Sequence, residues 1–264
     1  MLIVTADGIG SAGIVPGDSR SIIGNVTARL AQKTARHQVV PVHWPAAMVG
    51  IGGRTSWAVS AHIGVLDLDR IAAEHPGEDL VLLGYSGGCR VIHDWLATRP
   101  QEHHRVAAVG LMSDPYRPST RWQDNWKGGL PDPGGSGVAG SRVGPIGDRT
   151  FWTSAPGDVI SSCPSDSPLR TAADLSDQIP GALLVDLAGH LRQRDWQLAT
   201  YMGLWRRDPL AYLRGLGPRL DRARLDIEGY LTGAHTLAYT RPHAGGLSLA
   251  HRLADTVAWK VSHR

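Results

Sequence analysis

The sequence predicts an α/β fold, a mostly parallel central sheet with helices on both faces. Three observations predict it. Short apolar runs at 2–6, 38–43, 80–83, 105–112 and 149–155 alternate with helical patterns or long connections, the order of βαβ units. "LVLL" at 80–83 is apolar at every position, as a strand covered on both faces must be. The 264 residues, 42% hydrophobic, suffice for one large core. A single domain over 1–264 is expected, with a helical cap inserted at about 169–233.

The first strand, "LIVTA" at 2–6, ends in the glycine loop "DGIGSAG". The second, "QVVPVH" at 38–43, runs into "WPAAMVGIGGRTS". A helix follows from Ser56, a suitable N-cap, to about Glu74, with Val59, Ile63 and Leu66 at helical spacing. "HPGED" ends it before the 80–83 strand. "GCRVIHDWLATRP" reads as a helix closed by Pro100, and "RVAAVGLM" at 105–112 as the next strand. Residues 113–148 are rich in Gly, Pro and Ser without a period; a connection this long inside a domain usually serves function. "RTFWTSA" at 149–155 resumes the sheet. From Leu169 to Gly233 the pattern is helical, with breaks near Pro180, Pro209 and Gly217-Pro218. A last helix runs from about Leu247 to Lys260.

The formal net charge is +3 with the signs interleaved, so a nucleic-acid partner is not expected. Cys89 and Cys163 are the only cysteines; they make no disulfide framework or metal spacing, and either one bond or two buried thiols would satisfy the pattern. "MLIVTADGIG" lacks the charged and apolar regions of a signal peptide, and no apolar run reaches the length of a membrane span. The expectation is a chain made in a cytoplasm, with no stable membrane insertion, acting as a monomer.

The chemistry centres on "LLGYSGGCR" at 82–90. Gly84-Tyr85-Ser86-Gly87-Gly88 fits G-x-S-x-G, a sharp strand-to-helix turn that lifts a serine hydroxyl above the sheet edge. The helix start behind it favours developing negative charge, and the N–H of Gly87 is placed as an oxyanion donor. A serine nucleophile needs a base, and the base an orienting acid, in the chain order Ser, acid, His. Asp158, in the turn "APGD" after the 149–155 strand, is the favoured acid over Asp114. His235 in "TGAHTLAY" and His243 in "RPHAGG" both precede the last helix, and either can supply the base. The loop Gly8-Ile9-Gly10 should lie beside the elbow, with the Ile9 N–H as second oxyanion donor. Asp7 there would oppose an oxyanion unless turned away. Neither a metal nor an organic cofactor is needed.

Several stretches together resemble a known group. "IVTADGIGSAG", "VHWPA", "LVLLGYSGG", "SDPYRP", "DPGGSGVAG", "APGDVISSCP", "GAHTLAY" and "HRLAD" are similar, in order, to segments of the phage lysin B family. These are mycolylarabinogalactan esterases within the wider cutinase-like and PE-PPE-type α/β-hydrolases. The family usually has Gln after the serine, where this chain has Gly87, and often His where it has Asp7. The resemblance implies Ser86 as nucleophile, Asp158 as orienting acid and His235 as base. It also implies hydrolysis of the ester joining mycolic acids to arabinogalactan during phage-mediated lysis, the enzyme reaching the envelope after release from the host. Tyr85, Trp196 and Trp205 are candidate substrate contacts, with Leu183, Leu184 and Tyr201 of the insert as further walls of an acyl groove. A general cutinase-like lipase, or an acyltransferase or thioesterase on the same fold, is the alternative.

Overall fold

The computed structural model describes residues 1–11, 21–34, 36–48, 51–122, 131–176, 203–243 and 246–263. Five parallel strands form one sheet: β1 (Leu2–Ala6), β2 (Gln38–Pro41), β3 (Leu80–Tyr85), β4 (Val106–Met112) and β5 (Thr150–Thr153). Their spatial order is β2-β1-β3-β4-β5. The order reverses between β1 and β3, and the crevice outside their carboxyl ends is where open α/β sheets bind ligands. Every residue of β1, β3, β4 and β5 is buried, which accounts for their unbroken apolar runs.

Alternate strand residues feed two cores. Leu2, Val4, Leu80, Leu82, Val109 and Leu111 face α2 (Trp57–Glu74) and α3 (Cys89–Thr98). Ile3, Val81, Leu83, Ala108 and Met112 face α1 (Ile22–Ala31) and the last helix, α8 (Leu249–Ser262). Helix α1 is an addition to the elements expected from the sequence, although its signal is present there. Ser21 caps it by accepting from the Gly24 N–H, and Ile23, Val26 and Leu30 form its buried stripe.

Helix α2 starts at Ser56 as expected, its hydroxyl accepting from the Val59 N–H, but the stripe of Val59, Ile63 and Leu66 is the outer one. These three are 38%, 40% and 52% exposed. The buried face is Trp57, Ala61, Gly64, Val65, Leu68 and Ile71; small Ala61 and Gly64 let the helix lie close to its neighbours.

Between β5 and α8 come α4 (Leu169–Ser176), α5 (Pro209–Arg214), α6 (Leu216–Gly229) and the short α7 (Leu237–Thr240). Gly217-Pro218 does not break a helix. Both residues sit in the first turn of α6, where proline's missing N–H is an unpaired donor anyway. The interruption lies just before, at Gly215 between α5 and α6. Leu183, Leu184, Trp196 and Tyr201 lie outside the described residues. Cys89 and Cys163 are both buried free thiols. Among the described residues, no helix is long and apolar enough to cross a membrane.

Candidate active site

Ser86 sits at the carboxyl end of β3, next to the reversal of strand order. Its φ is +51°, a left-handed conformation that a side chain tolerates only when the surroundings impose it. The imposing contact is close backbone packing. A Cβ on Gly88 would stand 2.2 Å from the Ala6 carbonyl oxygen and 2.4 Å from that of Asp7, so only glycine lets β1 approach the turn. One 3₁₀ turn, Ser86–Gly88, leads into α3. The Gly87 carbonyl accepts from Trp57 Nε1 at 3.2 Å.

Gly87 also has a spatial reason. A Cβ there would lie 2.5 Å from Ile9 Cγ1. The Ile9 side chain fills the space a larger residue would need, and Gly87 and Ile9 line the same cavity. Among the described residues no backbone acceptor meets the Ile9 N–H. Asp7 lines the cavity too, with Oδ1 accepting from the Gly8 N–H at 2.9 Å and Oδ2 from the Ser21 hydroxyl at 2.5 Å.

Asp158 follows β5 and is fully buried. It accepts from His235 Nδ1 at 3.1 Å, the Ser113 hydroxyl at 2.5 Å, the Tyr239 hydroxyl at 2.5 Å, the Ser161 hydroxyl at 3.0 Å and the Ile160 N–H at 3.2 Å. Burial alone would raise its pKa. The facing His235 ring and the Ser113 and Tyr239 hydroxyls outweigh that and hold it below the ordinary 3.8. Burial first, and the Asp158 charge second, push the Tyr85 and Tyr239 phenols well above 10.0, so both stay O–H donors.

His235 is delivered by a break in the chain after α6, where Gly233 has φ 110°. Its ring stacks between Tyr230, at 4.7 Å, and Tyr85, at 5.3 Å. The Tyr85 hydroxyl donates to the His235 carbonyl at 2.5 Å. Nδ1 is taken by Asp158 and Ser113, which leaves Nε2 for chemistry. The other candidate base, His243, spends Nε2 on the Ala238 carbonyl at 2.6 Å and is not on the cavity wall.

Ser86 and His235 open on one cavity of about 490 Å³. Its lining is mostly apolar, with Ile9, Ile51, Val138, Ile160, Leu169 and Ile227 among the residues, and includes the polar Asp7, Ser11 and Ser21. Tyr85 is on the wall, but its hydroxyl is spent on holding His235. Trp205 is not brought there. It is 47% exposed and packs edge-on against Tyr212 at 5.8 Å. Trp196 is outside the described residues. The acid turn, α4 and the end of α6 supply part of the apolar lining, and Ile9, Ile22, Met48 and Ile51 supply more of it.

Asp114, the other acid considered, makes a separate buried pair. Its Oδ2 meets His93 Nε2 at 2.9 Å and Trp152 Nε1 at 2.8 Å, and its Oδ1 accepts from the Tyr116 N–H at 2.9 Å. It ties α3 to β5, away from the cavity lining. Ser113, Ser161 and Tyr239 are site residues to which the sequence assigned no role; only Tyr239 had a signal, the His-x-x-x-Tyr spacing.

Asp7 supplies a pH test. Burial, against the Ser21 and Gly8 hydrogen bonds, raises its pKa above 3.8. Such a group favours the folded state below the unfolded value and loses that contribution as pH rises through its folded pKa. The melting temperature of Asp7→Asn minus that of the wild type should therefore increase between about pH 3 and pH 7. Calorimetry across that range checks it; a flat or falling difference contradicts it.

No protein-family model and no curated protein matches the chain. Solved structures do. Lysin B from mycobacteriophage D29 is 17% identical, with a TM-score of 0.51, over 84% of this chain and 88% of that one. A cutinase-like protein from Cryptococcus sp. is 15% identical (TM-score 0.45), over 69% of this chain and 84% of that one. An acetyl xylan esterase is 14% identical (TM-score 0.44), over 67% of this chain and 94% of that one. The likeness to lysin B, together with the parallel sheet and the elbow, identifies the fold as that of the α/β-hydrolases.

Proposed function

We propose that this chain is a serine esterase that hydrolyses the ester between mycolic acids and arabinogalactan in the actinobacterial envelope, during phage-mediated lysis of the host. The observation that carries the esterase reading is Ser86 on its left-handed corner, sharing a cavity with a His235 whose Nδ1 is held by Asp158. The resemblance of the sequence motifs to lysin B supports the choice of substrate. So does the cavity, whose predominantly apolar lining suits an acyl chain and whose few polar groups suit an ester's alcohol part.

In the reaction, His235 Nε2 takes the Ser86 proton as Oγ attacks the ester carbonyl carbon. The N–H groups of Gly87 and Ile9 stabilise the oxyanion, each contributing about 3 kcal/mol in sites of this kind. The intermediate collapses, and the imidazolium protonates the leaving sugar oxygen. Water then gives a proton to Nε2 and attacks the acyl-serine. The fatty acid leaves and Ser86 recovers its proton. Asp158 holds the reactive tautomer throughout. No metal or organic cofactor enters.

Substrate panels test the reading. With p-nitrophenyl esters, kcat/KM should rise with acyl length by up to about fourfold per methylene until the apolar wall is filled. Purified mycolyl-arabinogalactan should release free mycolic acid. Turnover of the soluble esters without that release would favour a general cutinase-like esterase. Transfer to an added alcohol in preference to water would favour an acyltransferase.

A further inference from the structure

We propose that Ser113 is a positioning residue of this site, joining His235 and Asp158 into one hydrogen-bonded unit; the proposal rests on the esterase reading above. Its hydroxyl lies 2.5 Å from Asp158 Oδ2 and 2.9 Å from His235 Nδ1. Proton accounting gives each contact a direction. A carboxylate has no proton to offer, so the serine donates its single proton to Asp158. The ring contact is then one in which Nδ1–H donates to the serine oxygen. Asp158 Oδ1 accepts from the same N–H at 3.1 Å, so the donor is shared between two acceptors. That arrangement specifies Nδ1 as the protonated nitrogen and leaves the Nε2 lone pair to meet the Ser86 proton.

The backbone of Ser113 is built for this placement. Its φ is +53°, the same left-handed region as Ser86 at the end of the adjacent strand, and costly for any side chain. The Ser113 N–H donates to the Thr153 carbonyl at 3.0 Å, which fixes it to the end of β5. On its other side, Asp114 is anchored by His93 and Trp152, so the turn is held from both neighbours. Ser113 is fully buried and absent from the cavity wall, so it acts through His235 and not on substrate. As Nε2 gains a proton, two acceptors at Nδ1 resist rotation of the ring and stabilise the imidazolium.

Two variants separate this role from a purely structural one. Ser113→Ala and Ser113→Gly both delete the hydroxyl, but glycine relieves the left-handed backbone and alanine does not. Both should lower kcat for p-nitrophenyl butyrate by about tenfold, the effect of one buried hydrogen bond. KM should stay unchanged, although the glycine variant melts at the higher temperature of the two. The downfield proton resonance of His235 Nδ1–H should shift in both. An unmoved resonance overturns the proposal, as does wild-type kcat in either variant or a kcat loss that follows the order of melting temperatures. The resonance reports on the hydrogen bonds at Nδ1 whether or not any ester is turned over. An inactive wild type whose resonance responds to both substitutions supports the hydrogen-bonded unit while refuting the esterase reading.

Discussion

Ser86→Ala should lower kcat for p-nitrophenyl butyrate by about 10⁶-fold, the effect of removing the serine nucleophile from a triad. The fold should survive. Ser86 is 9% exposed and alanine has no more difficulty with φ +51° than serine does. The melting temperature should therefore hold within the small range of substitutions that break no packing or hydrogen bond. Loss of activity with an unchanged melting transition identifies the hydroxyl itself as the reacting group. A variant that retained even a tenth of the wild-type kcat would place the nucleophile elsewhere.

The second large effect is expected at the acid. Asp158→Asn should reduce kcat by about 10³- to 10⁴-fold, as the equivalent change does in other serine hydrolases. The amide N–H₂ would face Nδ1 as a donor and force the proton onto Nε2, where it blocks transfer from Ser86. Stability should change as well, with a definite sign. The Asp158 pKa is held below 3.8 in the fold, so its contribution is present above the unfolded value and lost as pH falls through the folded one. The asparagine variant should melt below the wild type at neutral pH, and the gap should narrow as the solution is acidified below about pH 4. A gap that widens on acidification would contradict the hydrogen-bonding described for this carboxylate.

Much of this is readable in the residues, and the remainder has physical reasons. Strands β3 and β4 announce themselves because burial on both faces demands unbroken apolar runs. The turn at 84–88 is legible because backbone approaching within 2.2 Å of a Cβ position excludes every residue but glycine at 88. Helix α1 is detectable from Ser21 with Ile23, Val26 and Leu30. For α2, two apolar stripes compete, and the one buried combines the large Trp57, Leu68 and Ile71 with the small Ala61 and Gly64 that close packing requires. Trp205 shows the limit of residue type as a guide: a large aromatic on a helix need not face the nearest cavity. Ser113 is out of reach in another way. It lies 45 residues from Asp158 and 122 from His235, and its left-handed φ comes from how β4 and β5 end side by side. Choosing Asp158 over Asp114 rests on strand position, because both fit the chain order and the strand directly after the elbow is the less usual place for the acid. The structure adds a reason, since His93, Trp152 and the Tyr116 N–H already occupy the Asp114 carboxylate.

The most direct measurement is the site of reaction with a fluorophosphonate probe, read by peptide mass mapping. The probe captures a serine only where a base and an oxyanion pocket activate it. The wild type should carry one adduct, on the peptide containing Ser86, and Ser86→Ala should carry none. An unlabelled wild type, or an adduct on another serine with Ser86 unmodified, would contradict the account.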